Sequence, residues 1–429
     1  MKINVIDKVN SNTIDLISGE NLFNGENAFN DHFGETTSLE IDLLNVASGI
    51  FAADLGIKRN ELEDYIRTIE ISIEVVNVHA FERIKDLLEE ALFVLSSDNW
   101  TIKFVPVDGK PEESKSWPDK KGTVLLFSGG LDSLSGVVHY KKQNSDLALV
   151  SHINQNRVVK DSQSGVLELL NRFYKTDLDY YPYRVFGRNK GEFLFPTDVE
   201  RENTQRTRSF LFLSLAALTA RRIGFRKIIS IAENGQFAIH LPLNPSRVGP
   251  FSTHTANPKF IDLAKEIFMK LLSLDGLEIV NPFLYKTKGE VVGILDEEIA
   301  NNANKSISCW KASRVSAKNH CGECIPCLSR RISLEYNGVY LDEYSRDLLK
   351  ENISSLPPDD NGKRNLIDFL EFISKFKGYK DSDLENLLIH FPDLYNESID
   401  EKEALRMYSR LSKQAYDVFD KYPEVKKVM

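Results

Sequence analysis

Long apolar runs, cysteine and tryptophan are what this chain of 429 residues has least of. The longest apolar-rich run, residues 209–220, has about 12 residues, whereas a membrane-spanning helix needs about 20. Residues 1–10 show no basic stretch followed by an apolar one, so we expect no secretory signal and a cytoplasmic protein. The chain also has no internal repeat and no low-complexity tract. These absences exclude membrane, fibrous and disordered proteins and leave a globular chain of two or three domains.

The four cysteines are confined to one short segment and are Cys309, Cys321, Cys324 and Cys327. In a cytosolic chain, clustered cysteines indicate a metal site more strongly than they indicate disulfides. Two C-x-x-C steps share Cys324, and Cys309 supplies a fourth sulfur. Four thiolates complete the shell of a Zn²⁺ ion, so the spacing predicts a structural zinc site. An iron–sulfur cluster, which also uses four cysteines, is the alternative.

Charge is distributed unevenly along the chain, although the total is only −9. Residues 1–118 carry a net charge of −12, residues 119–335 carry +8, and residues 336–429 carry −5. A basic middle segment suits an anionic ligand such as a nucleotide. The acidic flanks argue against non-specific nucleic-acid binding, because that binding depends on neutralising phosphates.

Residues 1–118 are predicted to form an N-terminal α+β accessory domain. Alternating and β-branched segments indicate strands, and apolar residues at helical spacing indicate helices. The predicted strands are 2–6, 13–17, 67–78 and 100–107, and the predicted helices are 39–55 and 81–95. Residues 108–121 are polar, contain two prolines and lack periodicity, which predicts a linker.

From residue 122 onwards, continuous apolar strands alternate with helices. The predicted strands are 123–127, 147–153, 180–185 and 227–232, and the predicted helices are 134–140, 164–174 and 207–223. This alternation is typical of an α/β fold with a doubly wound parallel sheet, spanning residues 119–335. Ligands of such sheets bind beyond the carboxyl ends of the strands. Residues 336–429 are predicted to be a helical C-terminal region, with a turn at 359–363 and helices at 365–376 and 401–419.

The glycine-rich segment SGGLDS follows the first apolar strand of the middle domain and opens a helix. Its candidate ATP-binding residues are Ser128, Gly129, Gly130, Leu131, Asp132 and Ser133. The glycines let the backbone approach an oxyanion, and the helix start offers free N–H groups. Asp132 repels bare phosphate and is therefore explained by a Mg²⁺ ion that accompanies the nucleotide. The spacing fits neither a Walker A loop nor a dinucleotide-binding loop, and a capped glycine turn is the structural alternative.

The SGGLDS segment resembles the pyrophosphate loop of the adenine nucleotide α-hydrolase superfamily, also called the N-type ATP pyrophosphatases. The resemblance implies adenylation: an acceptor oxygen attacks the α-phosphate, pyrophosphate leaves, and an amine or sulfur nucleophile then displaces AMP. Taken together with the cysteine segment, the loop resembles the QueC family of 7-cyano-7-deazaguanine synthases over about residues 122–335. Segments 208–217 and 287–292 also resemble motifs of that family, with Ser209 standing where the family has Asn.

The QueC resemblance implies an ATP-dependent carbon–nitrogen ligase that activates 7-carboxy-7-deazaguanine, makes an amide with ammonia and dehydrates it to the nitrile. Such a site must neutralise a carboxylate and a triphosphate, and bidentate arginine suits both. The candidate cations are Arg206, Arg208 and Lys288, and we assign catalytic roles to Asp132, Arg208 and Lys288. Surface salt bridges are the alternative for each cation.

Further candidates for substrate binding are His152, Glu233 and Asn234, with Gln155 and His254 less well supported. All of these except His254 follow or lie near a predicted strand end, where substrate contacts are expected. A buried structural histidine and an Asn-Gly turn are the alternatives. Arg330 and Arg331, directly after the last cysteine, are expected to face either the nucleotide or solvent.

The enlarged flanks and the segment 255–260, which lacks the family's usual substrate-loop chemistry, motivate a variant reaction. Enlarged chains of this kind resemble QueC-like proteins of Qat and CBASS anti-phage islands, so the attacking amine is hypothesised to belong to a partner protein encoded nearby. The ordinary synthase reaction and a non-catalytic nucleotide-sensing subunit are the alternatives. A tRNA-modifying relative is disfavoured, because such an enzyme should carry a basic added domain rather than acidic ones.

Overall fold

This computed structural model describes residues 1–9, 12–59, 65–113, 116–153, 156–202, 204–243, 256–314 and 318–429. Its strands are β1 Lys2–Asp7, β2 Thr13–Ile17, β3 Leu22–Phe23, β4 Thr68–Val75, β5 Asn99–Pro106, β6 Thr123–Leu126, β7 Leu147–His152, β8 Asp179–Tyr183, β9 Phe186–Gly187, β10 Ile228–Ser230 and β11 Glu278–Val280. Its helices are α1 Glu26–Phe33, α2 Ser38–Gly56, α3 Val78–Glu82, α4 Lys85–Ser96, α5 Leu131–Lys142, α6 Arg157–Tyr174, α7 Arg208–Ile223, α8 Gly235–Ile239, α9 Pro258–Leu272, α10 Lys288–Val292, α11 Glu297–Asn301, α12 Ile325–Tyr336, α13 Asn361–Ser374, α14 Leu384–His390, α15 Glu401–Phe419 and α16 Pro423–Lys426. None of these described helices combines the length and apolarity that crossing a membrane requires.

The N-terminal sheet has the strand order β2-β1-β4-β5, in which only the β4–β5 pair is parallel. Residues alternate between buried and partly exposed along β4, as expected of a sheet covered on one face. The predicted strands of this region are confirmed. The predicted helix 81–95 is instead two helices, α3 and α4, because the backbone leaves helical geometry at Ile84, where φ is −114° and ψ is 3°.

The middle of the chain forms a five-stranded parallel sheet with the order β11-β10-β6-β7-β8. Neighbouring residues of β6 face opposite cores: Val124 packs with α7 and α9, and Leu125 packs with α5 and α6. Both faces are therefore covered by helices, which is why these strands read as continuous apolar runs. The predicted α/β class with a doubly wound parallel sheet is confirmed.

The strand order of this sheet reverses between β6 and β10. The chain leaves β6 toward β7 on one side and later returns to β10 on the other side. At such a switch point the two following loops diverge and leave a crevice outside the carboxyl ends of the strands. The sequence SGGLDS follows β6, and Glu233 and Asn234 follow β10, so both predicted segments border this crevice.

The N-terminal region packs directly onto the parallel sheet. One continuous apolar core contains residues of β1, β4 and α2 together with residues of β6, β7, α7 and α9. The short strand β3 also pairs with β9, which belongs to the middle of the chain. Helices α2 and α7 are joined at one end by an ion pair between Glu40 and Arg222. The N-terminal region therefore shares an apolar core with the five-stranded parallel sheet.

The C-terminal helices form a second apolar core with α8 and α12. Helix α15 spans the residues predicted for it. The predicted turn at 359–363 is wrong, because Asp360 caps α13 and the helix begins at Asn361. Through Gln414, helix α15 reaches Thr287, the residue that precedes α10.

Candidate active site

The glycine-rich loop connects β6 to the first turn of α5. Gly129 has a φ of +77°, and a Cβ there would stand 2.8 Å from the backbone nitrogen of Gln163, so only glycine fits. Gly130 precedes the first helical residue, Leu131, and none of the described side chains caps this helix. The backbone N–H groups of the first turn are therefore available to an anion, and the positive end of the helix favours one.

Hydrogen bonds of two serine hydroxyls and of the Gly129 carbonyl fix the shape of the loop. Ser128 Oγ accepts a hydrogen bond from Gly130 N at 3.3 Å, and Ser133 Oγ donates to Gly130 O at 3.0 Å. The carbonyl oxygen of Gly129 accepts bonds from Ser162 Oγ at 2.7 Å and from Ile307 N at 3.2 Å. The loop is thus held in place before any ligand arrives, which reduces the ordering cost of binding.

A buried charged cluster lies beside the loop and joins three elements. Lys288 Nζ donates to Asp132 Oδ2 at 2.6 Å, and Asn234 Nδ2 donates to the same oxygen at 3.1 Å. Asp132 is 8% exposed and Lys288 is 4% exposed. Among the described residues, the second oxygen, Asp132 Oδ1, has no hydrogen-bond partner. A buried acceptor without a partner is costly, so this oxygen is available to a ligand donor or a cation.

Glu233 completes the cluster from the loop after β10. Burial raises the pKa of Glu233 well above its usual value, and the neighbouring Asp132 carboxylate raises it further, while Lys288 opposes the shift. Two adjacent carboxylates and one ammonium leave one negative charge in excess when all are ionised. The site therefore favours either a proton on Glu233 or a bound cation.

These groups line a cavity of about 250 Å³ at the switch point of the parallel sheet. One wall comes from the loop after β6, a second from the residues after β10, and a third from the segment that leads into the cysteines. The lining residues are Ser128, Gly130, Leu131, Asp132, Ala232, Glu233, Phe237, His240, Lys288, Ile307, Ser308, Trp310 and Pro326. The structure thus brings the predicted loop residues Ser128, Gly130, Leu131 and Asp132 together with Glu233 and Lys288.

Arg208 starts α7 at the same edge of the sheet but lies near β7 rather than in this cavity wall. Its guanidinium lies 4.7 Å from the ring centroid of Phe212, and burial lowers its pKa to about 10. Among the described residues, no carboxylate forms an ion pair with Arg208, and its Nε has no partner. A desolvated cation without a counter-ion favours an anionic ligand.

His152 and Arg206 are packed into the protein rather than into the cavity. His152 Nε2 lies 2.8 Å from the carbonyl oxygen of Val185, and burial followed by the charge of Arg208 lowers its pKa to about 3. Arg206 donates to the carbonyl of Ser96 at 3.0 Å, within the buried ionic network of the N-terminal region. Neither residue lines the cavity, and Gln155 and His254 lie outside the described residues.

The four cysteine sulfurs lie within 4.8 Å of one another, and all four residues are buried. The Sγ atoms of Cys321 and Cys327 are 3.8 Å apart, and those of Cys309 and Cys324 are 3.9 Å apart. A tetrahedral Zn²⁺ ion with bonds of about 2.3 Å requires sulfur separations of about 3.8 Å. The donor set and its spacing therefore fit zinc. The irons of a cluster would hold the sulfurs farther apart.

Arg330 and Arg331 neither line the cavity at the switch point nor face solvent, so both expectations for them are wrong. Arg330 is fully buried, and its Nε donates to Glu343 at 2.6 Å. Arg331 donates to Glu335 at 2.8 Å and bonds Tyr422 at the C-terminal end of the chain. Both arginines therefore fasten the cysteine-containing helix α12 to the segments around it.

Sequence reasoning missed part of the cavity wall, namely Phe237, His240, Ile307, Ser308, Trp310 and Pro326. Phe237 and His240 belong to or follow the short helix α8, Ile307 and Ser308 directly precede Cys309, and Trp310 and Pro326 lie within the cysteine segment. The position of Trp310 could have been predicted in part, because it directly follows Cys309 and therefore lies beside the predicted metal site.

A phosphate-type loop at the switch point of a parallel sheet, with a four-cysteine site beside it, defines a nucleotide-binding α/β protein of the adenine nucleotide α-hydrolase kind. Residues 122–338 match the family described as Queuosine biosynthesis protein QueC, and the chain belongs to that family. The chain is also 22% identical to a 7-cyano-7-deazaguanine synthase of Sulfolobus acidocaldarius over 340 residues, which cover 70% of this chain and 66% of that protein.

Proposed function

We propose that this protein uses ATP to adenylate a 7-deazaguanine-type carboxylate and passes the activated acyl group to an amine nitrogen. The observation that carries the proposal is the pre-shaped loop beside the Asp132–Lys288–Glu233 cluster at the switch point, in a chain of the QueC family. The name of the Sulfolobus relative supports the substrate class, and the chain spans about two thirds of that relative's length.

In the first step a carboxylate oxygen of the substrate attacks the α-phosphorus of ATP, and the bond to the β,γ-pyrophosphate breaks. The N–H groups at the start of α5, with the hydroxyls of Ser128 and Ser133, receive the leaving pyrophosphate. Lys288 opposes the negative charge that develops there. Arg208, which has no carboxylate counter-ion among the described residues, is assigned to an anionic group of the substrate.

In the second step an amine attacks the acyl carbon, and AMP leaves with the former carboxylate oxygen. With ammonia the product is an amide, and a second activation by ATP removes its oxygen to give the nitrile. We assign to Glu233, whose side chain lines the cavity, the proton that the attacking nitrogen loses. The burial of Asp132 and Lys288 limits water at this side of the cavity, where water would otherwise hydrolyse the adenylate.

Magnesium fits the carboxylate part of this site. Asp132 Oδ1, which has no hydrogen-bond partner in the described part of the chain, would hold the ion with Glu233 beside it, and oxygen ligands are those that Mg²⁺ prefers. When bound, the ion neutralises charge on the triphosphate. Zinc at the four cysteines has no open position and acts on the fold.

Product analysis tests this proposal. The protein, ATP, Mg²⁺, 7-carboxy-7-deazaguanine and ammonium are incubated, and nucleotides and deazapurines are quantified by mass spectrometry. We expect AMP and pyrophosphate, with amide and then nitrile. A protein that binds ATP and yields no AMP under any combination of substrates would be a nucleotide sensor, which contradicts the proposal.

The identity of the amine is tested in the same reaction by adding the proteins encoded beside this one. The family match leaves large regions outside residues 122–338, and these regions are the reason to propose that a partner protein supplies the amine. A partner that gains the mass of the acyl group supports this transfer and a role in anti-phage defence. Accumulation of free nitrile with unmodified partners supports the ordinary synthase reaction.

A further inference from the structure

Trp310 is a large aromatic side chain that is left exposed in the wall of the nucleotide cavity. It is 61% exposed and lines the cavity with Ser308 and Pro326. The other two tryptophans are engaged: Trp100 is buried, and Trp117 stacks on the guanidinium of Arg221 with 4.3 Å to the ring centroid. Among the described residues, no ring or cation contacts the indole of Trp310. Exposed indole surface of this kind is what an aromatic ligand covers.

The backbone on both sides of Trp310 is fixed by the two predicted motifs. On one side, Ile307 N donates to the carbonyl of Gly129 in the phosphate loop at 3.2 Å. Directly before Trp310, Cys309 belongs to the sulfur site, and on the other side Lys311 N donates to the Sγ of Cys309 at 3.3 Å. The backbone that carries the indole is therefore held at a set position relative to the loop, which reduces the cost of ordering it on binding.

The cavity lining includes both charged and apolar side chains. Asp132, Glu233 and Lys288 are the charged ones, and Ile307, Trp310 and Pro326 are among the apolar ones. The second aromatic ring, that of Phe237, already has Lys288 Nζ 5.5 Å from its centroid. Trp310 is thus the aromatic face that stays open to a ligand carrying a flat ring at one end and an anionic group at the other.

We propose that Trp310 is the stacking platform for a fused purine-type ring bound in this cavity. The ring is either the adenine of ATP or the deazaguanine of the carboxylate substrate, since both combine a planar bicycle with an anionic group. This proposal rests on the proposed function and adds the residue that recognises the ring. Stacking on an aromatic side chain tolerates either ring, because each presents a π-face.

Binding measurements on full-length variants test the platform. Calorimetry measures the affinity for α,β-methylene-ATP and, separately, for 7-carboxy-7-deazaguanine with the wild type, Trp310→Ala and Trp310→Phe. We expect Trp310→Ala to weaken one ligand about tenfold or more and Trp310→Phe to keep most of the affinity. Tyr395→Ala is the matched control, because Tyr395 is 66% exposed and lies outside this cavity. Metal content and far-ultraviolet circular dichroism confirm that each variant is folded.

Each outcome decides the proposal. A loss confined to the ATP analogue assigns the platform to adenine, and a loss confined to the deazapurine assigns it to the acceptor. Unchanged affinity of folded Trp310→Ala for both ligands overturns it, even if the wild type is active. If the wild type binds either ring through Trp310 but forms no AMP, the platform stands and the proposed function fails. A wild type that binds neither ligand overturns both.

Discussion

At the residue scale, the site depends on one buried ion pair whose members have separate tasks. Lys288 lies in α10 and Asp132 in α5. The two residues are 156 positions apart in the sequence, and Lys288 Nζ lies 2.6 Å from Asp132 Oδ2. Removing one partner of a buried pair leaves the other charge uncompensated, which is costly, whereas removing both is often tolerated. Stability and activity should therefore respond differently to single and double substitutions.

Lys288→Met and Asp132→Asn should each lower the free energy of unfolding, Lys288→Met by about 3 kcal/mol, because a buried charge loses its partner. The double variant should regain much of that stability and still release pyrophosphate at least about a hundredfold more slowly than the wild type. Urea unfolding and a pyrophosphate assay measure the two effects. A double variant with wild-type turnover would show that the pair is structural only.

His152 should make the protein sensitive to acid. Its folded pKa is lowered to about 3 from an ordinary 6.5, so the unfolded chain binds a proton between these values and the folded protein does not. Stability therefore falls as the pH falls through this window, by about 1.4 kcal/mol per pH unit at its steepest. Between pH 7 and pH 4.5 the wild type should lose about 2.5 kcal/mol more than His152→Gln. Equal losses in urea unfolding would contradict a neutral buried His152.

At the element scale, α2 reaches both ends of α7 with two buried carboxylates. Asp54 Oδ2 accepts bonds from Thr207 N at 2.9 Å and Thr207 Oγ1 at 3.1 Å, directly before Arg208. At the other end, Glu40 accepts from Arg222 Nε at 2.7 Å. Asp54 thus acts on the end of α7 that carries Arg208, and Glu40 acts on the opposite end of α7.

Asp54→Asn should raise KM for the carboxylate substrate or for ATP about tenfold, with a smaller change in kcat, because the start of α7 and hence Arg208 lose a fixed position. Glu40→Gln is the matched control and should lower stability while leaving KM unchanged. Steady-state kinetics with thermal unfolding separate the two. Wild-type KM values for Asp54→Asn would show that the N-terminal region does not position Arg208.

Elements with a strong local pattern were predictable, and elements that depend on tertiary packing were not. Helix α15 has a clear amphipathic repeat and was predicted with its observed bounds, Glu401–Phe419. Helix α12 was not predicted, because its first residues belong to the cysteine motif, which was interpreted as a metal-binding turn. The break between α3 and α4 at Ile84 leaves no mark in the apolar spacing of residues 81–95.

At the scale of the whole molecule, both flanking regions support the QueC-like middle. The N-terminal region shares its core and holds Thr207, and helix α15 holds Thr287 through Gln414 at 2.7 Å.

The glycine-rich loop after β6 was predictable because its chemistry lies within six consecutive residues. The walls made by Phe237 and Trp310 were not, because only the folded chain brings them to the loop. The position of Arg206 in an ionic network depends on the same long-range packing.

The sulfur site should hold one zinc ion per chain, and removing it should destabilise the whole protein. Four buried thiolates without a cation repel one another, and the site joins the cavity wall at Trp310 to α12. Chelation or Cys327→Ser should lower the free energy of unfolding by more than about 3 kcal/mol. Elemental analysis and urea unfolding test this. Protein without metal and with unchanged stability would contradict the assignment.

Exchange of labelled pyrophosphate into ATP tests the central claim most directly, because it reports reversible adenylation at the loop that follows β6. The wild type should incorporate label only when 7-carboxy-7-deazaguanine is present, and not with a deazaguanine that lacks the carboxylate. Asp132→Asn should abolish the exchange. Cleavage of ATP to ADP and orthophosphate, or no exchange by folded wild-type protein that binds both substrates, would contradict the account.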